Sequence, residues 1–263
     1  MIIKKIISLF SSKKTSQQFP KIVLTEALSD AGLVRTNNED SYFCLPQYHV
    51  WAVADGMGGY EGGEIASAIA ITSLKTGITS GKSLTEAIQS GHRAIEQAAV
   101  DGLGSKGMGS TIVALQILHD HYQIAWVGDS RAYLFHKKLR CLSKDHSYVQ
   151  LMLDQGLISE EEAENHPHKN TITQALGGTD KAITVDTIDG QLQTGDIFLL
   201  CSDGLSGKVS SREMELILSN PALLLNEKAN LLTRKALDAG GDDNITLILL
   251  EVSAAAFPIN KKT

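Results

Sequence analysis

From Lys21 onward the chain switches repeatedly between two spacings of apolar residues. Runs with strand character are KIVLTEAL, SYFCL, HVWAVAD, STIVALQIL, YQIAWVGD, RAYLFH, AITVDTID, DIFLLCSD and NITLILLEV. Several are apolar almost throughout, as strands covered on both faces are. In YQIAWV large side chains alternate with smaller ones, which suits one side of a sheet. Elsewhere the repeat lengthens to four. Ile65 and Ile69, with Ala66, Ala70 and Leu74, predict a helix over 61–78. A second is predicted over 83–101, where Ser83 is a candidate N-cap and Glu86 completes a capping box. Further helices are predicted over 211–218 and 221–239, and a short pair over 147–156 and 159–165 with Gly156 as the stop of the first. Three strand runs follow one another between 110 and 136 with short connections, which implies antiparallel pairing. Pattern alone therefore gives an α+β fold, antiparallel sheet inside and helices outside.

The ends of the apolar runs carry the candidate chemistry. VWAVAD closes on Asp55, followed by Gly56. IAWVGD closes on Asp129, and IFLLCSD on Asp203 before Gly204. Asp243 opens NITLILLEV behind Gly240 and Gly241. A buried strand fixes its ends, so a carboxylate there is well placed and poorly solvated. Several converging carboxylates would raise one another's pKa. A hard divalent cation resolves that conflict, because Mg²⁺ and Mn²⁺ favour oxygen ligands. Asp-Gly is also a common turn dipeptide, and for any one instance a turn is the better reading. Four together point to a carboxylate metal site, which a phosphatase, a nuclease or a phosphodiesterase could each use.

Composition narrows the choice. The 263 residues are 43% hydrophobic and carry a formal net charge of -6. This is ordinary globular composition, and an acidic chain lacks the basic face that nucleic acid requires. Cys44, Cys141 and Cys201 form no CxxC pair, and none precedes an arginine by six residues, the spacing of a cysteine-nucleophile phosphate cradle. They are read as small core or near-core residues in a reducing cytoplasm. Residues 1–20 differ from the rest. They hold Lys4, Lys5, Lys13 and Lys14 without an acid, and Ile2, Ile3, Ile6, Ile7, Leu9 and Phe10 share one helical face. A basic amphipathic helix for a membrane surface or a partner is one reading. A frayed terminus, or a helix docked on the protein's own body, is the other and preferred one, since so short a helix is marginal in water.

The segments GLVRTNNEDS, VADGMGGYEGGEIAS, GMGSTIVA, VGDSRAYLF, KDHSYVQLMLDQGLISEEEAENHP, ITQALGG, GDIFLLCSDGLSG and GGDDNITLILL resemble, in order and spacing, the bacterial metal-dependent Ser/Thr protein phosphatases of the PPM (type 2C) family. The resemblance runs from about Thr25 to Val252. It implies a four-layer α/β/β/α sandwich: two antiparallel sheets packed face to face and flanked by helices. It implies that Asp55 bridges two Mn²⁺ or Mg²⁺ ions, with the Gly56 carbonyl, Asp203 and Asp243 completing the pair and Asp129 serving a third. Glu39 and Asp40 match acidic residues that hold metal-bound water, and Asn244 a polar residue beside the centre. Arg35 matches the arginine that grips the substrate phosphate. Arg35, Asp40 and Asp55 are thus the expected catalytic set. Two cations held close together polarise a water that attacks phosphorus in line, with no enzyme nucleophile. Arg35 can offer its planar fork to two phosphate oxygens.

The same resemblance makes 145–178 the mobile flap over the site. His146, His166 and His168 fall there and are read as capping and loop-packing residues. Ser110 and Thr111 are expected to pack near the centre, and Met108 in the core. Met57 stands where animal relatives have a histidine proposed as general acid. Lys169 and Gln174 stand where bacterial relatives often have arginine, and lysine loses the fork geometry. A silent binding module is disfavoured because Asp55, Asp203 and Asp243 are all present. The chain is thus expected to divide into an extension over 1–20, a phosphatase domain over 21–254 and a tail over 255–263. The expected protein is cytoplasmic and monomeric. Its partners would be phosphorylated proteins, among them a Ser/Thr kinase and its targets, and not nucleic acid.

Overall fold

A computed structural model describes residues 21–58, 62–178 and 183–254. The N-terminal extension and the C-terminal tail lie outside the described residues. In chain order the elements are β1 (Lys21–Asp30), β2 (Asp40–Leu45), β3 (Val50–Met57), α1 (Gly62–Thr79), α2 (Leu84–Val100), β4 (Gly109–Ser110), β5 (Ile112–Leu118), β6 (His121–Val127), β7 (Arg131–His136) and β8 (Lys138–Cys141). There follow α3 (Tyr148–Asp154), α4 (Glu160–Glu164), β9 (Asp186–Gln191), β10 (Ile197–Cys201), α5 (Asp203–Ser206), α6 (Ser211–Leu218), α7 (Leu225–Asp238) and β11 (Ile245–Ala254). One sheet runs β1-β11-β10-β7-β8. The other runs β2-β3-β5-β6-β9, with β4 also on β3. Their pairings are antiparallel. This is the expected four-layer α+β sandwich.

Three separate cores fill the three interfaces between layers, which explains why the strand runs are apolar on both faces. On β10, Phe198 and Leu200 point between the sheets with Trp51, Val53, Val113 and Leu250. Their neighbours Ile197, Leu199 and Cys201 point the other way, against Met214, Leu218 and Leu232 of α6 and α7. On β3, Val50, Ala52 and Ala54 face outward to Ala66, Ala70 and Leu74 of α1. A period of two with both faces buried leaves no polar position in such a strand. Helix α2 begins as predicted. Ser83 accepts from the Glu86 amide at 3.3 Å, and the Glu86 carboxylate accepts from the Ser83 amide at 2.9 Å.

Several expectations shift. The run STIVALQIL breaks at Thr111, whose amide donates to the Asp55 carbonyl at 2.8 Å. The run AITVDTID becomes strand only from Asp186, while Ile183 and Val185 pack beside the α1–α2 core. The helix predicted over 221–239 starts at Leu225, because Asn220 first closes a turn with the Ala222 amide at 3.0 Å. β8 had no sequence signal: its KLRC segment is mostly exposed and pairs with β7 alone. Cys141 lies there and is exposed, which corrects its reading as a core or near-core residue, whereas Cys201 is buried and Cys44 half-buried. Among the described residues no helix is long and apolar enough to cross a membrane.

Candidate metal centre

The carboxylates meet at one end of the sandwich, where strands from both sheets terminate. Asp55 lies near the end of β3, directly opposite Asp40 at the start of β2. Asp129 sits in the turn between β6 and β7, Asp203 opens α5 straight after β10, and Asp243 lies just ahead of β11. Backbone contacts bring these ends together. A Cβ on Gly204 would fall on the Asn244 carbonyl oxygen, so glycine alone lets α5 touch the entry to β11. Gly56 is pressed between Gly63 and Glu39 in the same way, and its amide donates to the Glu39 carbonyl at 3.1 Å.

Serines and threonines around the carboxylates fix their positions. The Asp55 amide donates to Thr111 Oγ1 at 3.0 Å, and Ser110 Oγ donates to the Asp55 carbonyl at 3.1 Å. Thr111 Oγ1 also pairs with Ser130 Oγ at 2.7 Å, which ties the Asp129 turn to the Asp55 strand. Ser202 Oγ donates to Asp40 Oδ2 at 2.8 Å and accepts from the Thr246 amide at 3.0 Å. Asn244 organises the segment that carries Arg35. Its Nδ2 donates to the carbonyls of Ala31 at 3.0 Å and Asn37 at 2.9 Å, and its Oδ1 accepts from the Glu39 amide at 2.8 Å.

The electrostatics follow from this crowding. Burial pushes Asp40 up to about 7, with the Asp203 and Asp243 charges adding to the shift and hydrogen bonds from Thr246 and Ser202 opposing it. Burial likewise pushes Asp129 up to about 7, helped by Asp203 and Asp145. Asp55 is raised well above the carboxylate range by burial and then by the charges of Asp40, Asp203, Asp129 and Asp243. Asp203 is raised by burial and Asp243, and a hydrogen bond with Asp55 partly offsets this. Glu39 is raised by burial, against the pull of Arg35. Asp40 Oδ1 and Asp129 Oδ1 are buried oxygens with no hydrogen-bond partner among the described residues. A cluster of all-oxygen donors with orphaned lone pairs and mutually raised pKa values fits Mn²⁺ or Mg²⁺.

The cluster is not a closed cage in this geometry. Among the described residues no three carboxylate, imidazole or thiol side chains are gathered as a metal site. Arg35 Nη2 donates to Asp243 Oδ2 at 3.0 Å, so a cation occupies one carboxylate. That guanidinium is half exposed.

The segment over 145–178 is rooted on the same framework. Arg131 holds Asp145 with a fork of two bonds, Nε to Oδ1 at 2.9 Å and Nη2 to Oδ2 at 2.7 Å. The Gly128 amide, next to Asp129, donates to His146 Nδ1 at 3.2 Å, and the His146 amide returns a bond to the Gly128 carbonyl at 2.9 Å. The far root is fixed by two bonds between Ser110 and Leu176 and by the Gly177 amide on His92 Nδ1 at 2.9 Å. His146 is therefore a loop-packing residue as expected. His166 and His168 pack against Tyr148 at centroid distances of 5.7 and 5.9 Å, the first tilted and the second edge-on. Met108 is core, at 1% exposure. Met57 lies beside Gly109 and Gly178, and it has no proton to give. The sequence reading missed Ser202, Thr246, Ser130 and the Arg131–Asp145 pair. Ser202 and Arg131 stand inside the segments CSDG and GDSR and could have been weighed there.

Residues 34–233 match the sequence profile of the family described as protein phosphatase 2C. The chain belongs to that family. It is a protein phosphatase of the 2C type, a hydrolase. It is 40% identical over 240 residues to the serine/threonine phosphatase stp of Listeria monocytogenes, covering 86% of this chain and 94% of that one. It is 36% identical over 233 residues to the serine/threonine protein phosphatase PstP of Mycobacterium tuberculosis, covering 86% of this chain and 44% of that longer protein. The crystal structure of the Mycobacterium tuberculosis phosphatase superposes with a TM-score of 0.81 at 35% identity, over 88% of this chain and 99% of that one. The catalytic domain of PstP has also been solved with two manganese ions. It superposes with a TM-score of 0.79 at 34% identity, over 89% of this chain and all of that one.

Proposed function

We propose that this 2C phosphatase hydrolyses phosphoserine and phosphothreonine on cytoplasmic proteins, opposing a Ser/Thr kinase of the same cell, and acts as a monomer through the domain over 21–254. The observation that carries the reading is the convergence of Asp40, Asp55, Asp129, Asp203 and Asp243, drawn from both sheets, on one sheet end beside Arg35. Asp55 would bridge two Mn²⁺ or Mg²⁺ ions, Gly56 would offer its carbonyl to one, and Asp203 and Asp243 would hold the other. Asp129, with Asp203, would hold a third. When bound, such ions lower the pKa of a water and neutralise phosphate charge.

The remaining work falls to the chain's own side chains. Arg35 leaves Asp243 and closes its fork on two phosphate oxygens, which orients the ester and favours the charge that builds in the transition state. Glu39 and Asp40 hold the surrounding waters, Asp40 being fixed by Ser202. Asn244 keeps the Arg35 segment in register with Asp243. Residue 57 takes no part in proton transfer, because a thioether has no acidic proton.

The test is phosphate release from a phosphothreonine peptide. Full activity is expected with Mn²⁺, none with EDTA, and at least a hundredfold loss in Asp203→Asn. Activity that survives both EDTA and the substitution overturns the metal mechanism.

A further inference from the structure

A second cleft opens at the other end of the sandwich. β10 leads from Asp196 at this cleft to Asp203 at the metal centre, so at a strand rise of about 3.3 Å per residue the two lie roughly 20 Å apart. The cleft, of about 410 Å³, lies between β6 and β9 of one sheet and β7, β8 and the turn before β10 of the other. Its size is that of a small-ligand pocket. Leu134, Leu142 and Ile188 give it an apolar floor. The hydrolysis described above uses none of these residues.

Two of its polar groups, Asp196 and His136, are held in place. Asp196 is 2% exposed. It accepts from the Gln193 amide at 2.7 Å and pairs with His136 Nδ1 at 2.8 Å. That fixes the imidazole and leaves Nε2 unpartnered among the described residues. A Cβ on Gly190 would fall on the ring and hydroxyl of Tyr122, so glycine lets the phenol lie across β9. The Tyr122 hydroxyl also has no hydrogen-bond partner among the described residues. Arg140 lines the cleft and acts on the Tyr122 phenol. Its guanidinium makes no ion pair or hydrogen bond among the described residues. The two acids present are already engaged: Asp196 as above, and Asp189 with Gln123 Nε2 at 3.0 Å.

We propose that this cleft binds a small organic carboxylate with an apolar body. The Arg140 fork takes the carboxylate, Tyr122 donates a further hydrogen bond, and Leu134, Leu142 and Ile188 receive the body. A guanidinium matches carboxylate geometry with two parallel bonds. An unpaired guanidinium beside an unpaired phenol donor over an apolar floor suits an anion with a hydrophobic part better than a neutral polar solute.

The test is a titration of the Mg²⁺-loaded full chain with benzoate, followed by nuclear magnetic resonance shifts of Tyr122, His136 and Gly190. Saturable millimolar binding is expected, weakened about tenfold or more in Arg140→Gln and less in Arg140→Lys. Benzyl alcohol, which has the ring without the charge, is expected to bind far more weakly. The inference is overturned by shifts that do not saturate, by saturation unchanged in Arg140→Gln, or by benzyl alcohol binding as well as benzoate. Hydrolysis of the phosphothreonine peptide by Arg140→Gln, expected at the parent rate, keeps this result separate from the metal mechanism.

Discussion

Asp40 carries an ordinary carboxylate in the unfolded chain, yet in the fold burial and neighbouring acids push it up to about 7. Between about pH 4 and pH 7 the folded protein therefore binds a proton that the unfolded chain has released, so stability falls as pH rises through that window. Below the window the penalty is absent, and above it the penalty is complete. Asp129 behaves in the same way. EDTA-treated protein is expected to lose a few kcal/mol of stability between pH 5 and pH 8, read as a falling urea midpoint. Mn²⁺ should remove that fall and Asp40→Asn should reduce it. Arg35 poses a different question at this scale, since on the proposed reading the guanidinium that now donates to Asp243 is the one that grips the substrate phosphate. Arg35→Ala is expected to raise the peptide KM about tenfold or more, with Arg35→Lys between it and the parent. Steady-state kinetics on the phosphothreonine peptide decide this.

Whole elements at the site are positioned by polar contacts at their ends. The segment over 145–178 hangs on the Arg131–Asp145 pair, in which Asp145 is 13% and Arg131 36% exposed at the side chain. Removing the cation strands a mostly buried carboxylate, while solvent at the arginine moderates the cost. Arg131→Gln is expected to cost about 2 kcal/mol, measured by urea unfolding, and to speed protease cleavage within 145–178. Element boundaries were legible where a local rule applied. The capping box at Ser83 and the stop at Gly156 each act within a few residues. β8 was not legible, because an exposed edge strand is held by backbone pairing with β7 and carries no side-chain period. The late start of α7 was hidden because Asn220 can close a turn or continue a helical pattern equally well.

For the whole molecule, the core between the sheets holds the two halves of the proposed metal centre together. Asp40 and Asp55 belong to one sheet, and Asp203 and Asp243 flank strands of the other. Phe198 is fully buried at that interface, edge-on to Tyr122 at a centroid distance of 4.9 Å. Phe198→Ala is expected to cost about 3–5 kcal/mol, again by urea unfolding. It should also weaken Mn²⁺ binding, because the sheets would no longer hold a single spacing.

The sequence by itself determined the strands covered on both faces, the helical repeats, and the aspartates at the ends of apolar runs. Each is written within a short window, where the spacing of side chains follows from backbone geometry alone. The motifs in their order also determined the family. Tertiary structure decided which groups touch. Arg35 meets Asp243 across 208 positions, and Ser202 meets Asp40 across 162. It also decided that the far end of the sandwich opens as a cleft in which Arg140, Tyr122 and His136 come together. No local period encodes such meetings, because they depend on how two twisted sheets stack and where their strands end.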